Sequence, residues 1–258
     1  MKGQHPTSRR AAHFQTDVVK FCENTNLRSL LIFDVHIASL IKFRLLCVLE
    51  LKGVLCIENL AKEVTNMVHL SYLGLRRTWI CSLPEKIDSL RKLQTLDIRE
   101  TYITTVPFSL WEITTLRHVH ASWNRPINGP PKGSKLEHIL TLKYVKVMAW
   151  EKDLPQMENI RKLGIRNRDN RDSKPTAQWL KNFEHLCSLS IEWQILPEEI
   201  VDMRSFRSYK NIRNLGLHGE WPRSMLFNAA MIPEHVTQLV QIPNSILSIS
   251  LYYAMSVY

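Results

Sequence analysis

The stretch LSYLGLRRTWICSLP at residues 70–84 returns at residues 93–107 as LQTLDIRETYITTVP. Leucines, an arginine, a threonine, an isoleucine and a proline hold the same places in both copies. Most other places exchange similar residues, such as Leu75 for Ile98 and Trp79 for Tyr102. Two such copies, 23 residues apart (93 against 70), indicate a structural unit that the chain builds repeatedly.

The pattern L-x-x-L-x-L, with any aliphatic residue allowed, recurs along the chain at intervals that are mostly 19 to 26 residues. The last interval is 34 residues and contains a half-unit at Val236 and Leu239. The units begin at Leu27, Leu46, Leu70, Leu93, Leu116, Leu136, Ile160, Leu186, Ile212 and Ile246. A period in this range predicts a solenoid of about ten irregular repeats.

The spacing has a simple physical reading. The L-x-L part predicts a short strand whose alternate side chains point inward, and the following residues must cross back before the next parallel strand. We therefore predict an α/β leucine-rich-repeat horseshoe, with a parallel sheet on the concave face and loops, short 3-10 helices or α-helices on the convex face. TAQWLKNFEHL (176–186) has helical spacing on that convex side. The predicted core residues of the two best units are Leu70, Leu73, Leu75, Leu93, Leu96 and Ile98.

The domain organisation follows from where the repeats start and stop. Residues 1–26 are expected to be a partly disordered lead-in, and residues 27–258 a single repeat domain. The last unit ends on apolar strand residues without a polar terminal repeat, although a solenoid needs such a cap for solubility. The sequence therefore predicts a C-terminal end that is uncapped or truncated relative to a longer parent.

The bulk properties favour a cytoplasmic protein. The five cysteines form no C-x-x-C pair, and the N-terminal MKGQHPTSRRAAHF lacks the apolar region of a signal peptide. No apolar stretch is long enough to predict a membrane span. The net charge of +10 permits acidic partners but does not choose among them.

Sequence motifs for catalysis or cofactor binding are absent. The glycines never form a phosphate-binding loop, and no hydrolase, kinase or zinc signature occurs. His118 and His120 share one face of a predicted strand, but the sequence offers no third metal ligand nearby. We therefore expect no enzyme activity, no metal and no cofactor.

What a solenoid offers instead is a surface. The variable residues of each strand line the concave face, and here they include the arginine and aromatic residues that protein interfaces favour. The alternative is a solvated sheet face whose charges maintain solubility. The predicted partner-binding residues are Tyr72, Arg76, Arg99, Arg117, His118, His120, Trp123 and Arg166.

Residues 49–122, above all HLSYLGLRRTWICSLPEKIDSLRKLQTLDIRETYITTVPFSLWEI with T-x-I-x-x-[LV]-P in adjacent units, resemble a known family. They are similar to the leucine-rich-repeat region of plant nucleotide-binding disease-resistance proteins of the coiled-coil type found in grasses. The resemblance implies a role in innate immunity. It also implies a protein partner: a pathogen effector, a guarded host protein or the nucleotide-binding domain of a resistance protein. The coiled coil and the nucleotide-binding switch of that family have no counterpart in this sequence.

Other functions stay open at this point. A general intracellular scaffold or ubiquitin-ligase adaptor would use the same repeats, although residues 1–26 are too short for an F-box-like segment. A receptor-kinase ectodomain is disfavoured because signal peptide, N-x-[ST] sequons and paired cysteine caps are lacking. Nucleic-acid binding through the positive charge is disfavoured because no reading motif accompanies it.

Overall fold

The strands that carry the L-x-L pattern pair side by side and in parallel in a computed structural model of the chain. The structure describes residues 10–14, 26–34, 43–54, 63–131, 133–146, 155–167, 183–195, 209–220 and 233–242. The chain divides into two units, residues 1–127 and residues 128–258. Each unit is a parallel-sheet solenoid, which confirms the predicted leucine-rich-repeat fold class.

In the first unit, six strands follow one another in sequence order, and each pairs in parallel with the next. They are β1 (Arg10–Phe14), β2 (Ser29–Phe33), β3 (Val48–Glu50), β4 (Tyr72–Gly74), β5 (Thr95–Asp97) and β6 (His118–His120). The return segments contain two 3-10 helices, Ile87–Ser89 and Phe108–Glu112. Short 3-10 turns suit a narrow coil because they reverse direction in few residues.

The second unit repeats this order with longer strands. β8 (Thr141–Lys146), β9 (Lys162–Asn167), β10 (Ser188–Ile195), β11 (Asn214–Glu220) and β12 (Gln238–Ile242) pair in parallel in sequence order. A short strand, β7 (Ile127–Asn128), lies where the sequence passes from the first unit to the second.

The repeat leucines form the core. Leu70, Leu93 and Leu96 are 0% exposed, and Leu73, Leu75 and Ile98 are 1% exposed. The return segments add a second inward row, with Ile87, Leu90 and Leu110 each 0% exposed. Each repeat thus forms one coil of the solenoid, and the apolar side chains of each coil form one layer of the core. The free energy of burial comes chiefly from this apolar area.

Two strands extend the predicted pattern. β1 lies inside residues 1–26 and pairs with β2, although no repeat unit is predicted there. β12 starts two residues after Val236, so the half-unit predicted at Val236 and Leu239 is a complete strand paired to β11. The predicted helix at 176–186 lies mostly outside the described residues, and so do the last unit from Ile246 onward and the predicted C-terminal end.

Strands β2 to β5 of the first unit are each followed by a turn of the same geometry. The eighth residue of four successive repeats has positive φ: Asp34 at 54°, Gly53 at 76°, Arg77 at 60° and Glu100 at 59°. Its N–H points to the next coil; for example, Arg77 N donates to the Arg99 carbonyl oxygen at 3.0 Å. The backbone bond recovers part of the cost of placing non-glycine residues in the left-handed region.

Candidate functional site

The register of β4, β5 and β6 stacks their outward residues in columns. Tyr72 lies opposite Thr95, which lies opposite His118, and the second column runs from Gly74 through Asp97 to His120. We use the name sheet face for the outward residues of these three strands, for Arg117 just before β6, and for the residues that follow each strand as far as Arg77, Glu100 and Trp123. It contains every predicted partner-binding residue except Arg166.

Tyr72 is anchored inside the sheet face by its neighbour Glu50. The Tyr72 hydroxyl donates to Oε2 of Glu50 at 2.7 Å. Burial, together with the Glu50 carboxylate, raises the pKa of Tyr72. Glu50 reaches this place because the next strand carries a glycine: a Cβ at Gly74 would lie 2.5 Å from Oε2 of Glu50. The sequence analysis did not name Glu50. The feature that could have indicated it is Gly74, since the equivalent residue of the next repeat is Asp97.

Arg99 is paired within its own repeat. Its Nε donates to Oδ1 of Asp97 at 2.9 Å, and its Nη2 donates to Oδ2. The hydrogen bonds to Asp97 raise the pKa of Arg99. Asp97 is only 4% exposed, so the guanidinium compensates a carboxylate that is almost removed from water.

Arg76 shares a carboxylate with Arg77. Glu100 accepts from Nη2 of Arg76 at 2.8 Å and from Nε of Arg77 at 2.7 Å. These hydrogen bonds, the one from Arg76 first, hold the pKa of Glu100 below its ordinary value. Three arginines of the β4 and β5 coils are therefore paired with two carboxylates, those of Glu100 and Asp97.

The coil of β6 differs. Arg117 is exposed, and no carboxylate within the described ranges lies at ion-pair distance from it. Trp123 is 54% exposed, and the rings of His118 and His120 stack with centroids 6.3 Å apart and planes 10° apart. In the part of the chain that the structure describes, no group of three His, Cys, Asp or Glu residues could hold a metal ion.

Arg166 differs from the prediction that it lies on an accessible face. It is 3% exposed, and its Nε lies 2.9 Å from Oε2 of Glu192, which is also 3% exposed. Adjacent strands β9 and β10 place the two residues directly opposite one another. A buried ion pair on neighbouring strands removes Arg166 from the candidate interface. The residue types alone did not show this burial, although the partners hold the same repeat position 26 residues apart (192 against 166).

Sequence reasoning also passed over three residues beyond the sheet face. Trp79 is 63% exposed and Tyr102 is 47% exposed, and the guanidinium of Arg125 lies 3.9 Å from the centre of the Tyr102 ring. The sequence does contain an indication of this surface, since Trp79 and Tyr102 are aromatic residues at the same position of two successive repeats.

Comparison with known proteins identifies the class first. The model of the family described as "Leucine-rich repeat region" matches residues 26–252, so the chain belongs to this family. In the part of the chain that the structure describes, no helix has the length and apolar character that crossing a membrane requires.

The particular relatives are plant disease-resistance proteins. The chain is 47% identical over 56 residues to rice Disease resistance protein Pik-2, covering 22% of this chain and 6% of that protein. It is 36% identical over 84 residues to the Arabidopsis thaliana Putative disease resistance RPP13-like protein 3, covering 31% and 10%. It is 26% identical over 185 residues to tomato ToMV resistant protein Tm-2 netted virescent, covering 67% and 21%. The matched part of the chain therefore spans between 6% and 21% of the length of these relatives. The similarity is to their leucine-rich-repeat region.

Solved structures agree on the fold. A leucine-rich-repeat protein of Leptospira interrogans superposes with a TM-score of 0.60 at 18% identity, covering 87% of this chain and 57% of that one. The functional domain of InlJ from Listeria monocytogenes gives 0.50 at 17% identity, covering 80% and 47%. These likenesses concern the repeat architecture alone.

Proposed function

We propose that the chain is a recognition and regulatory leucine-rich-repeat domain of plant innate immunity. Its partner is a protein: a pathogen effector, a guarded host protein or the nucleotide-binding domain of a resistance protein. The repeats bind and do not catalyse, and they act inside the cell. The nucleotide-dependent switch is assigned to another domain or another protein.

The proposal rests on the β6 coil of the sheet face. Here Arg117, His118, His120 and Trp123 combine exposed aromatic area, hydrogen-bonding imidazoles and a positive charge without a carboxylate partner among the described residues. Arginine and tryptophan are the residues over-represented among those that dominate binding energy at protein interfaces. The family relationship supplies the biological setting, since the relatives are named as disease-resistance proteins.

The arginines of the β4 and β5 coils have a different part in the proposal. Arg76 and Arg99 fix the carboxylates of Glu100 and Asp97, so they shape the sheet face and contribute less charge to a partner. Tyr72 is likewise held by Glu50. Side chains that are already ordered cost less entropy when a partner binds.

The test is affinity purification from leaf tissue followed by quantitative mass spectrometry. Wild type is compared with the double variant Arg117→Glu/Trp123→Ala and with the control Arg91→Glu. Arg91 is exposed on the turn before β5, outside the sheet face, and its substitution makes the same change of charge as Arg117→Glu.

The proposal predicts a set of proteins recovered with wild type and with the control but lost with the double variant. Equal melting temperatures of the three chains would show that folding is intact. Recovery of one and the same set by all three chains would contradict the assignment of binding to the β6 coil.

A further inference from the structure

The tenth residue of three successive repeats forms a second surface. Counted from Leu70, Leu93 and Leu116 as first residues, the tenth residues are Trp79, Tyr102 and Arg125, which we call the edge column. Each lies two residues after the last residue of the sheet face in its own repeat, which is Arg77, Glu100 or Trp123. The equivalent residue of the preceding repeat, Leu55, lies outside the described residues.

The edge column stands on an ordered backbone. Immediately before its aromatic residues, Thr78 and Thr101 are buried and donate to the carbonyl oxygens of Leu75 and Ile98 at 2.7 and 2.8 Å. The Tyr102 N–H donates to the carbonyl oxygen of the previous coil's Ile80 at 3.0 Å. Two large rings are thus exposed next to a hydrogen-bonded backbone, and their apolar surface contributes nothing to the core.

Arg125 gives the edge column its charge. Its guanidinium carbon lies 3.9 Å from the centroid of the Tyr102 ring, which is cation–π geometry. No carboxylate of the described residues lies at ion-pair distance from Arg125. The ring orients the cation and leaves its charge without a counter-ion on the protein.

We propose that the edge column is a docking surface for an acidic segment of a protein partner. An apolar side chain of that segment packs on the indole of Trp79, and a carboxylate pairs with the guanidinium of Arg125. The charge favours this occupant over a second copy of the chain, because each copy carries +10. The edge column shares no residue with the sheet face, so the proposal does not depend on binding at the β6 coil.

A single-stranded nucleic acid fits the column less well. Bases need a free ring face to stack on, and one face of Tyr102 is covered by Arg125.

Display selection tests the proposal without knowledge of the natural partner. Random peptides are selected on the full chain, and the dissociation constants of the enriched peptides are measured for wild type, Trp79→Ala, Arg125→Glu and Arg125→Gln. Arg91→Glu is the matched charge control, because Arg91 is equally a surface arginine of the same unit. Arg117→Glu on the sheet face separates this surface from the one proposed above.

We expect an enriched family of peptides that carries net negative charge and an apolar residue. Its affinity should fall about fivefold or more with Trp79→Ala and with Arg125→Glu, less with Arg125→Gln, and stay within about twofold with Arg91→Glu and Arg117→Glu. The proposal is overturned if no acidic family is enriched, or if the family is insensitive to the edge-column variants. It is also overturned if an oligothymidylate probe binds more tightly than the peptides and depends on Arg125 more strongly.

Discussion

The β4 and β5 coils and the β6 coil are built on the same core but present different surfaces. In the first region, Arg76, Arg77 and Arg99 are paired with two carboxylates, those of Glu100 and Asp97. In the second, exposed Arg117 has no such match among the described residues. An arginine on the outward side of a repeat strand is therefore evidence for recognition only when it has no carboxylate partner within the chain.

The shared core is where substitution should have the largest effect. Leu96→Ala in the β5 coil and Leu116→Ala in the β6 coil remove side chains that are 0% and 1% exposed. Each should lower the free energy of unfolding by about 2–5 kcal/mol, because burial is lost and a cavity remains. Urea denaturation measures this. A large loss of unfolding free energy for only one of the two variants would show that the two coils do not share one core.

Arg99→Glu should separate the two regions next. It places a second carboxylate beside Asp97, which is 4% exposed and would lose its compensating guanidinium. We expect a loss of about 1–3 kcal/mol in the free energy of unfolding. Arg117→Glu, at an exposed position, should change the same quantity by less than about 0.5 kcal/mol. Equal losses for the two variants in denaturant titrations would remove the distinction.

Gly74→Ala should have a moderate effect that depends on Glu50. The new Cβ would displace the Glu50 carboxylate, which accepts the Tyr72 hydroxyl hydrogen bond at 2.7 Å. The expected cost is about 1 kcal/mol, and it should largely vanish in a Glu50→Ala background, where the displaced group is absent. A double-mutant cycle by thermal unfolding measures the coupling. Additive costs would show that Glu50 does not hold this place.

Glu100 should give the smallest effect, and one that depends on pH. Its pKa is lower in the folded chain than in the unfolded chain, so its contribution is complete above an unfolded pKa of about 4.3 and is lost as the pH falls through the folded pKa. Against Glu100→Gln, wild type should be more stable by about 0.5–1 kcal/mol at neutral pH, with a modest value because the pair is exposed to solvent. Denaturant titrations of both chains at decreasing pH should show the difference shrinking. A difference that grows with acid would contradict the pairing.

The repeat core could be predicted because it depends on the spacing of apolar residues that are close together in the sequence. Leu70, Leu73 and Leu75 recur as Leu93, Leu96 and Ile98, and hydrophobic periodicity translates directly into strand and burial. β1 escaped prediction because a strand that adds to an existing sheet needs no repeat of its own. Its stability comes from pairing with β2.

The candidate site could be predicted only in part. Sequence placed His118, His120 and Trp123 near one another, since they belong to one repeat and the two histidines are alternate residues of one strand. Equivalent positions of successive repeats stack, so repeat counting also aligns Arg166 with Glu192 and Tyr102 with Arg125. It could not show that the first pair is a buried ion pair or that the second is in cation–π contact, because burial and side-chain contact depend on packing in the folded chain.

Pairing with carboxylates, more than exposure to solvent, distinguishes the arginines of the sheet face. Arg76 and Arg99 have side chains that are 36% and 43% exposed, and Arg117 is exposed as well. Labelling of the folded chain with a guanidinium-selective dicarbonyl reagent, read out by peptide mass spectrometry over time, tests this most directly. We predict that Arg117 reacts several-fold faster than Arg76 and Arg99, whose nitrogens are held by carboxylates. Equal rates at the three residues, or faster reaction at Arg99, would contradict the account.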